Sequence, residues 1–256
     1  MNKNELLKKW EQEEEKAKII GWDFSYIEDR FSSDEDDLPW NYEKVINRYK
    51  HDTHRILDID TGGGEFLLSL GHPYELTSAT EGYPPNVKLC WKRLGAFGID
   101  FHEMSDYSKM PFPDCSFDVI INRHGSYNAE EIYRVLKPDG LFITQQVGED
   151  NERELVEMLL PNIPKTFAGH NLATQIEVFE NAGFEILEQN EAFRPIEFYD
   201  TSALVWFAKI IEWEFVDFSV DRCFERLLEV EKEIAENGCV KGNIHRFYFV
   251  AKRTGE

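Results

Sequence analysis

Between residues 55 and 147 apolar and polar positions fall into short blocks of two alternating kinds. The runs "RILDID" (55–60), "YELTSATE" (74–81), "IDFHEM" (99–104), "SFDVIINR" (116–123) and "GLFITQQV" (140–147) are rich in β-formers and predict strands. The stretches between them, "GEFLLSLG" (64–71), "PNVKLCWKRLGAF" (85–97) and "NAEEIYRVLK" (128–137), predict helices. Strands alternating with helices imply βα units, an α/β class and a parallel sheet covered on both faces. A further amphipathic helix is expected over 170–183, with Asn171 as N-cap and Gly183 as its stop.

The alternation then breaks. "FEILEQNEAF" (184–193) and "IHRFYFVAKR" (244–253) predict two more strands, and the residues between them read as helices over 201–213 and 220–238. Two final strands bracketing a helical insertion suggest a hairpin at one sheet edge. At the other end of the chain, residues 1–20 predict a polar helix and 28–37 an acidic loop. Aromatic clusters stand at 21–26 and 38–45. The expected organisation is therefore an N-terminal helical or lid segment (1–50), a core of 51–193 with 244–256, and a helical cap insertion at 194–243.

Composition narrows the class without deciding it. The chain has 256 residues, 42% of them hydrophobic, enough for a sizeable core. No apolar run reaches the length of a membrane span, and the N-terminus is too charged for a secretory signal. Cys90, Cys115, Cys223 and Cys239 are scattered with no C-x-x-C pair, which fits a reducing, cytoplasmic setting. "HDTH" (51–54) offers His51, Asp52 and His54 but no third or fourth ligand partner elsewhere in the pattern, so no metal is expected. The formal net charge of −21 argues against a polyanionic partner such as nucleic acid, whose phosphates are bound through Lys and Arg.

The densest chemistry lies in "ILDIDTGGGEF" (56–66). Three successive glycines carry an entropic cost and need a reason, and taken alone they fit a plain turn as well as a ligand-binding loop. At the carboxyl edge of a parallel sheet, glycines let a ligand approach the backbone, and the following helix offers free N–H groups. A nucleotide-like ligand also needs a carboxylate for its ribose hydroxyls, and Glu81 ends the second strand where one is expected.

Taken together, "ILDIDTGGGEF", Glu81, "SDYSKMPFPDCSFDVIINRH" (105–124) and "IYRVLKPDGLFI" (132–143) resemble the class I S-adenosylmethionine-dependent methyltransferases of the type 11-like superfamily. The resemblance covers roughly residues 50–150. It implies a Rossmann-like seven-stranded sheet ending in a β-hairpin, with S-adenosyl-L-methionine as cofactor. Carried over by position, it places Asp58, Gly62, Gly63 and Gly64 on the methionine and ribose side and Glu81 on the ribose hydroxyls. Asp106 would take the adenine amino group with Tyr107 beside it, and Asn122 and Arg123 would border the sulfonium and the acceptor. Pro138 and Gly140 would serve a turn. Asp60 departs from the family, which usually has glycine there: its carboxylate either pairs with the cofactor's ammonium or crowds the pocket.

Methyl transfer from a sulfonium mainly requires alignment and exclusion of water, with a base only where the acceptor keeps its proton. His124 is the candidate base by position, although a packing role is equally open, and Arg123 is a candidate for positioning an anionic acceptor. Trp22, Tyr42, Trp206 and Trp213 are candidate acceptor contacts in an enclosed pocket for a small, partly apolar molecule. The expected activity is methyl transfer to a small-molecule acceptor. An RNA or protein methyltransferase and a non-catalytic cofactor-binding protein are the alternatives.

Overall fold

The computed structural model describes residues 1–18, 24–33 and 37–255, and Trp22 lies outside them. The chain divides into two compact units: residues 39–147, 170–191 and 246–256 form one, and residues 1–38, 148–169 and 192–245 form the other. The elements of the first of these are α2 (Tyr42–Tyr49), β2 (Ile56–Ile59), α3 (Glu65–Ser69), β3 (Thr77–Glu81), α4 (Pro84–Arg93), β4 (Asp100–Glu103), β5 (Phe117–Arg123), α5 (Ala129–Val135), β6 (Leu136–Val147) and α7 (Leu172–Asn181). Two long strands, β7 (Phe184–Phe198) and β8 (Val240–Arg253), contribute residues to both units.

Within the unit that holds the glycine run the strand order is β7-β8-β6-β5-β2-β3-β4. β2 pairs in parallel with β3 and β5, β3 with β4, and β5 with β6, while β8 runs antiparallel to β6 from Leu141↔Lys252 to Val147↔Arg246. This is the seven-stranded, mostly parallel sheet expected, with strand order reversing beside β2. Both faces are covered. Ile56, Ala79, Val119, Ile121, Ile143 and Val250 bury themselves on one side with Val45, Ile46, Val87 and Leu94. Leu57, Ile59, Ile120, Phe142, Phe249 and Ala251 do so on the other with Ile132, Val135 and Phe179. That two-sided burial is why the strands read as continuous apolar runs.

Two elements depart from the sequence reading. Helix α2, capped by Asn41 through the Lys44 amide, occupies the aromatic stretch at 38–45. β6 starts at Leu136, inside the expected helix, because Leu136 pairs with Phe117 before the strand register shifts. Gly140 sits in that irregularity, where a Cβ would come within 2.8 Å of the Lys137 carbonyl.

The other unit comprises α1 (Lys3–Lys16), β1 (Phe31–Ser33), α6 (Arg153–Leu159), α8 (Thr201–Ile210) and α9 (Val220–Asn237), with parts of β7 and β8. β1 pairs antiparallel with β7, Phe31 opposite Phe198. Helix α1 opens with a capping box between Asn2 and Glu5. Helix α8 is buried nearly all round, and Trp10, Leu155, Trp206, Phe215 and Leu227 share its core.

Candidate cofactor and acceptor site

β2 delivers Asp58 and Asp60 to the carboxyl edge of the sheet, and the chain then turns through Gly62 and Gly64, both at positive φ (63° and 80°). Gly62 has nothing within 4 Å of where a Cβ would stand, whereas a Cβ at Gly64 would lie 2.7 Å from Leu94. One glycine thus leaves space on the site side, and the other lets the loop settle onto α4. From α4, the Cys90 thiol donates to the Gly62 carbonyl at 3.0 Å, and Arg93 donates to the Gly63 carbonyl while pairing with Glu65.

Glu81, at the end of β3, is 4% exposed. Its Oε2 accepts from the Gly62 amide at 2.7 Å, and its Oε1 accepts from the amides of Gly82 and Tyr83 at 2.9 and 2.8 Å. One carboxylate therefore ties the glycine turn to the loop after β3. Burial pushes the Asp58 carboxyl up to about 7, with Asp60 and Glu81 adding like charge. Burial likewise raises Asp60 to about 6, with Glu81 adding to the shift while hydrogen bonds from Tyr107 and Ser126 oppose it.

Asp60 stands at φ 56°, in the left-handed region where glycine is favoured and aspartate is among the better-tolerated alternatives. Its two oxygens accept from the Tyr107 hydroxyl at 2.6 and 2.5 Å, and Oδ2 accepts from the Ser126 amide at 3.0 Å. Gly125 has no room for a side chain, since a Cβ would lie 2.5 Å from that of Asp60. Three loops, those after β2, β4 and β5, meet at this carboxylate. Asp106 is exposed, and its Oδ1 accepts from the amide and hydroxyl of Ser108, which holds its carboxyl below the usual range.

At the end of β5 the expected site residues differ in burial. Asn122 is fully buried: its Nδ2 donates to the Ile59 carbonyl, and its Oδ1 accepts from Thr144 and Gln146. Those bonds tie the Asn122 side chain to β2 and β6. Arg123 is exposed, with its guanidinium 5.4 Å from the Phe66 ring centre. His124 takes φ 59°, its amide donates to the Gln145 carbonyl, and its Nε2 lies 3.2 Å from Gln145 Nε2.

The candidate acceptor contacts separate. Tyr42 is buried, with its hydroxyl shared between the Asn122 and Ile143 carbonyls at 2.9 Å each, which makes it an anchor for α2. Trp206 is 2% exposed in the core of its own unit, against Phe24 and Tyr26. Burial assigns both to structure. Trp213 retains an exposed face, at 37%.

Several site residues escaped the sequence reading. Arg93 and Cys90 were legible only as helix α4, and Ser126 and Gln145 only as loop and strand. A one-turn spacing from Cys90 to Arg93 beneath a glycine run is the one local hint.

Comparison with known proteins bears on this site directly. Residues 57–144 match the family model of a methyltransferase domain. That stretch, from β2 into β6, contains Asp58, Asp60, Glu81 and the glycine turn, and is similar to a methyltransferase domain. Over 118 residues it is 29% identical to the demethylmenaquinone methyltransferase of Deinococcus radiodurans, covering 42% of this chain and 48% of that protein. Over 98 residues it is 34% identical to the phthiotriol/phenolphthiotriol dimycocerosates methyltransferase of Mycobacterium tuberculosis, covering 36% of each. The chain thus aligns with less than half the length of these curated relatives. A SAM-dependent methyltransferase structure from Methanosarcina mazei superposes with a TM-score of 0.53 at 17% identity, covering 83% of this chain and 98% of that one, which establishes the shared fold.

The donor set suits that cofactor. Three carboxylates converge beside an open glycine turn, two of them with carboxyls raised by burial and mutual repulsion, and a cationic ligand relieves both costs. Among the described residues no group of three or more His, Cys, Asp or Glu is disposed to hold a metal ion.

Proposed function

We propose that the protein transfers a methyl group from S-adenosylmethionine to a small, partly apolar acceptor. The observation that carries this reading is the cluster of Asp58, Asp60 and Glu81 around the Gly62–Gly64 turn, an acidic cradle suited to a cationic cofactor. Bound there, the cofactor supplies an electrophilic methyl group on sulfur. The protein's residues bind and orient: the glycine turn and Asp58 the methionine and ribose side, Glu81 the ribose hydroxyls, Asp106 with Tyr107 the adenine end. Arg123, exposed at the end of β5, is the candidate for holding an anionic acceptor. A net charge of −21 supports a non-nucleic-acid acceptor. The named substrates of the menaquinone and phthiotriol relatives support a lipophilic small molecule.

Calorimetric titration with S-adenosylmethionine and S-adenosylhomocysteine tests the first half. Saturable binding of both is expected, and no binding by folded protein overturns the reading. Labelled cofactor offered with small-molecule and lipid extracts, tRNA, rRNA and protein fractions tests the second. Label in the small-molecule or lipid fraction is expected. Label in RNA or protein reassigns the acceptor, and binding without transfer to any fraction makes the chain a cofactor-binding protein.

A further inference from the structure

The loop that carries Asp106 and Tyr107 is held by one turn of α5. Residues 104–116, between β4 and β5, form no strand or helix. Pro111 and Pro113 bring no N–H groups, so this stretch cannot pair as a full strand and its other backbone groups need partners elsewhere. Arg134 supplies donors. Its Nη2 donates to the Met110 carbonyl at 3.1 Å, and its Nη1 donates to the Phe112 carbonyl and to Asp114 Oδ1, at 2.8 Å each. Glu131 supplies the acceptor, its Oε2 taking the Met110 amide at 2.7 Å. The two side chains are forked together, Arg134 Nε on Glu131 Oε1 at 2.8 Å and Nη2 on Oε2 at 2.7 Å. Those bonds hold the Glu131 carboxyl below its usual range, so the pair stays charged at neutral pH. Asn128 accepts from the Glu131 amide at 2.9 Å and fixes the turn that bears both residues. Both backbone groups of Met110 therefore end on one ion pair of α5. Upstream in the same loop, Asp106 Oδ1 is committed to Ser108, which leaves Oδ2 for a ligand.

We propose that Arg134 and Glu131 are positioning residues for the adenine end of the cofactor: by holding Met110 they set where Asp106 meets the adenine amino group. The proposal rests on the methyl-transfer reading. It also predicts a confined effect. The amides of Cys115 and Ser116 donate to the carbonyls of Arg134 and Val135 at 3.0 and 2.8 Å, main-chain bonds that a side-chain substitution leaves in place. Loss of the Arg134 side chain therefore loosens residues 105–114 while the entry to β5 stays fixed. The cost falls on recognition of the adenine amino group and not on the ligand as a whole.

The test is a ratio of two affinities. S-adenosylhomocysteine and S-inosylhomocysteine, in which an oxo acceptor replaces the amino donor, are titrated calorimetrically against the full chain. The unaltered protein should prefer the first by about tenfold or more, the effect of a hydrogen bond to a charged group. Arg134→Met should bring the two affinities close together, mainly by weakening S-adenosylhomocysteine. Arg134→Lys keeps the charge but not the planar fork, and should fall between. Glu131→Gln, which breaks the ion pair and leaves the guanidinium, should narrow the ratio as well. Should Arg134→Met fail to fold, the other two variants decide. No preference in the unaltered protein, a ratio unchanged in the folded variants, or an equal loss of both ligands overturns the proposal. Binding by the unaltered protein with any of those results removes this proposal alone, whereas binding of neither ligand removes the methyl-transfer reading and this proposal with it.

Discussion

At the residue scale the site turns on carboxylates that already have partners. Glu81 accepts three backbone N–H groups, so its value to a ligand includes holding the loops that receive it. Glu81→Gln keeps the shape but turns an NH2 toward those donors. Charged hydrogen bonds of this kind are worth about 1.5–3 kcal/mol, so S-adenosylmethionine affinity should fall roughly ten- to a hundredfold. Isothermal titration of the folded variant checks this, and unchanged affinity would remove Glu81 from the site. Asp60 was legible as the odd residue in the glycine motif, but not as the acceptor for Tyr107 and Ser126, because those partners lie more than forty residues away. Its φ of 56° makes a further prediction. Alanine there keeps the left-handed strain and loses the hydrogen bonds, whereas glycine loses only the bonds. Asp60→Ala should therefore be less stable than Asp60→Gly by about 1 kcal/mol, read as a lower melting temperature. The reverse order would mean that the backbone at residue 60 does not hold this conformation in solution. Titration of Asp60→Gly with cofactor decides the other question: weaker binding supports pairing with the ammonium, tighter binding a crowded pocket.

At the scale of elements, the parallel strands and the helices between them were readable because period and burial agree along 55–147. What escaped was set by distant partners or masked by composition. β1 is a three-residue strand whose pairing with residues 196–198 leaves no local trace. The Tyr, Val and Ile of α2 read as an aromatic cluster, although Asn41 supplies a cap. Helix α6 carries Leu155, Val156 and Leu159 at helical spacing, within a stretch whose polar turn and prolines drew no assignment. Helix α8 shows the converse limit: apolar on all sides, it fits a cap or a core equally in sequence, and burial makes it core. The most consequential element is α4, which grips the glycine turn through Cys90 and Arg93. Arg93→Ala removes a donor from the Gly63 carbonyl and a partner from Glu65. Because the guanidinium is about a third exposed, screening limits the effect, and a loss of roughly three- to tenfold in cofactor affinity is expected. Isothermal titration reads it, and an unaltered affinity would show that the turn holds its shape without α4.

At the scale of the whole molecule, the charge of −21 was visible from composition, but the place where that charge matters most was not. Among the described residues no helix is long and apolar enough to cross a membrane. Inside the cofactor unit, acidic groups are pressed together where β2 and β3 end, and folding lifts Asp58 to about 7 and Asp60 to about 6 from an ordinary 3.8. Between those limits the folded chain holds protons that the unfolded chain has released. Stability of the ligand-free protein therefore receives its full contribution from these groups at low pH and loses it as pH rises from about 4 to about 7. A cationic ligand favours the ionised carboxylates, so its affinity must change in the opposite direction, rising through pH 6–7 by up to about tenfold per pH unit for each group it forces to ionise. The thermal shift produced by a fixed concentration of S-adenosylmethionine should thus be larger at pH 8 than at pH 5.5. S-adenosylhomocysteine keeps the ammonium but lacks the sulfonium charge, so its dependence should rise in the same direction and be shallower only by the part that the sulfonium contributes. The pair of ligands separates the local effect from the protein's general self-repulsion, since both bind the same chain under the same salt. A thermal shift that is flat or falls with pH for S-adenosylmethionine would mean that Asp58 and Asp60 do not face the cofactor's positive charge.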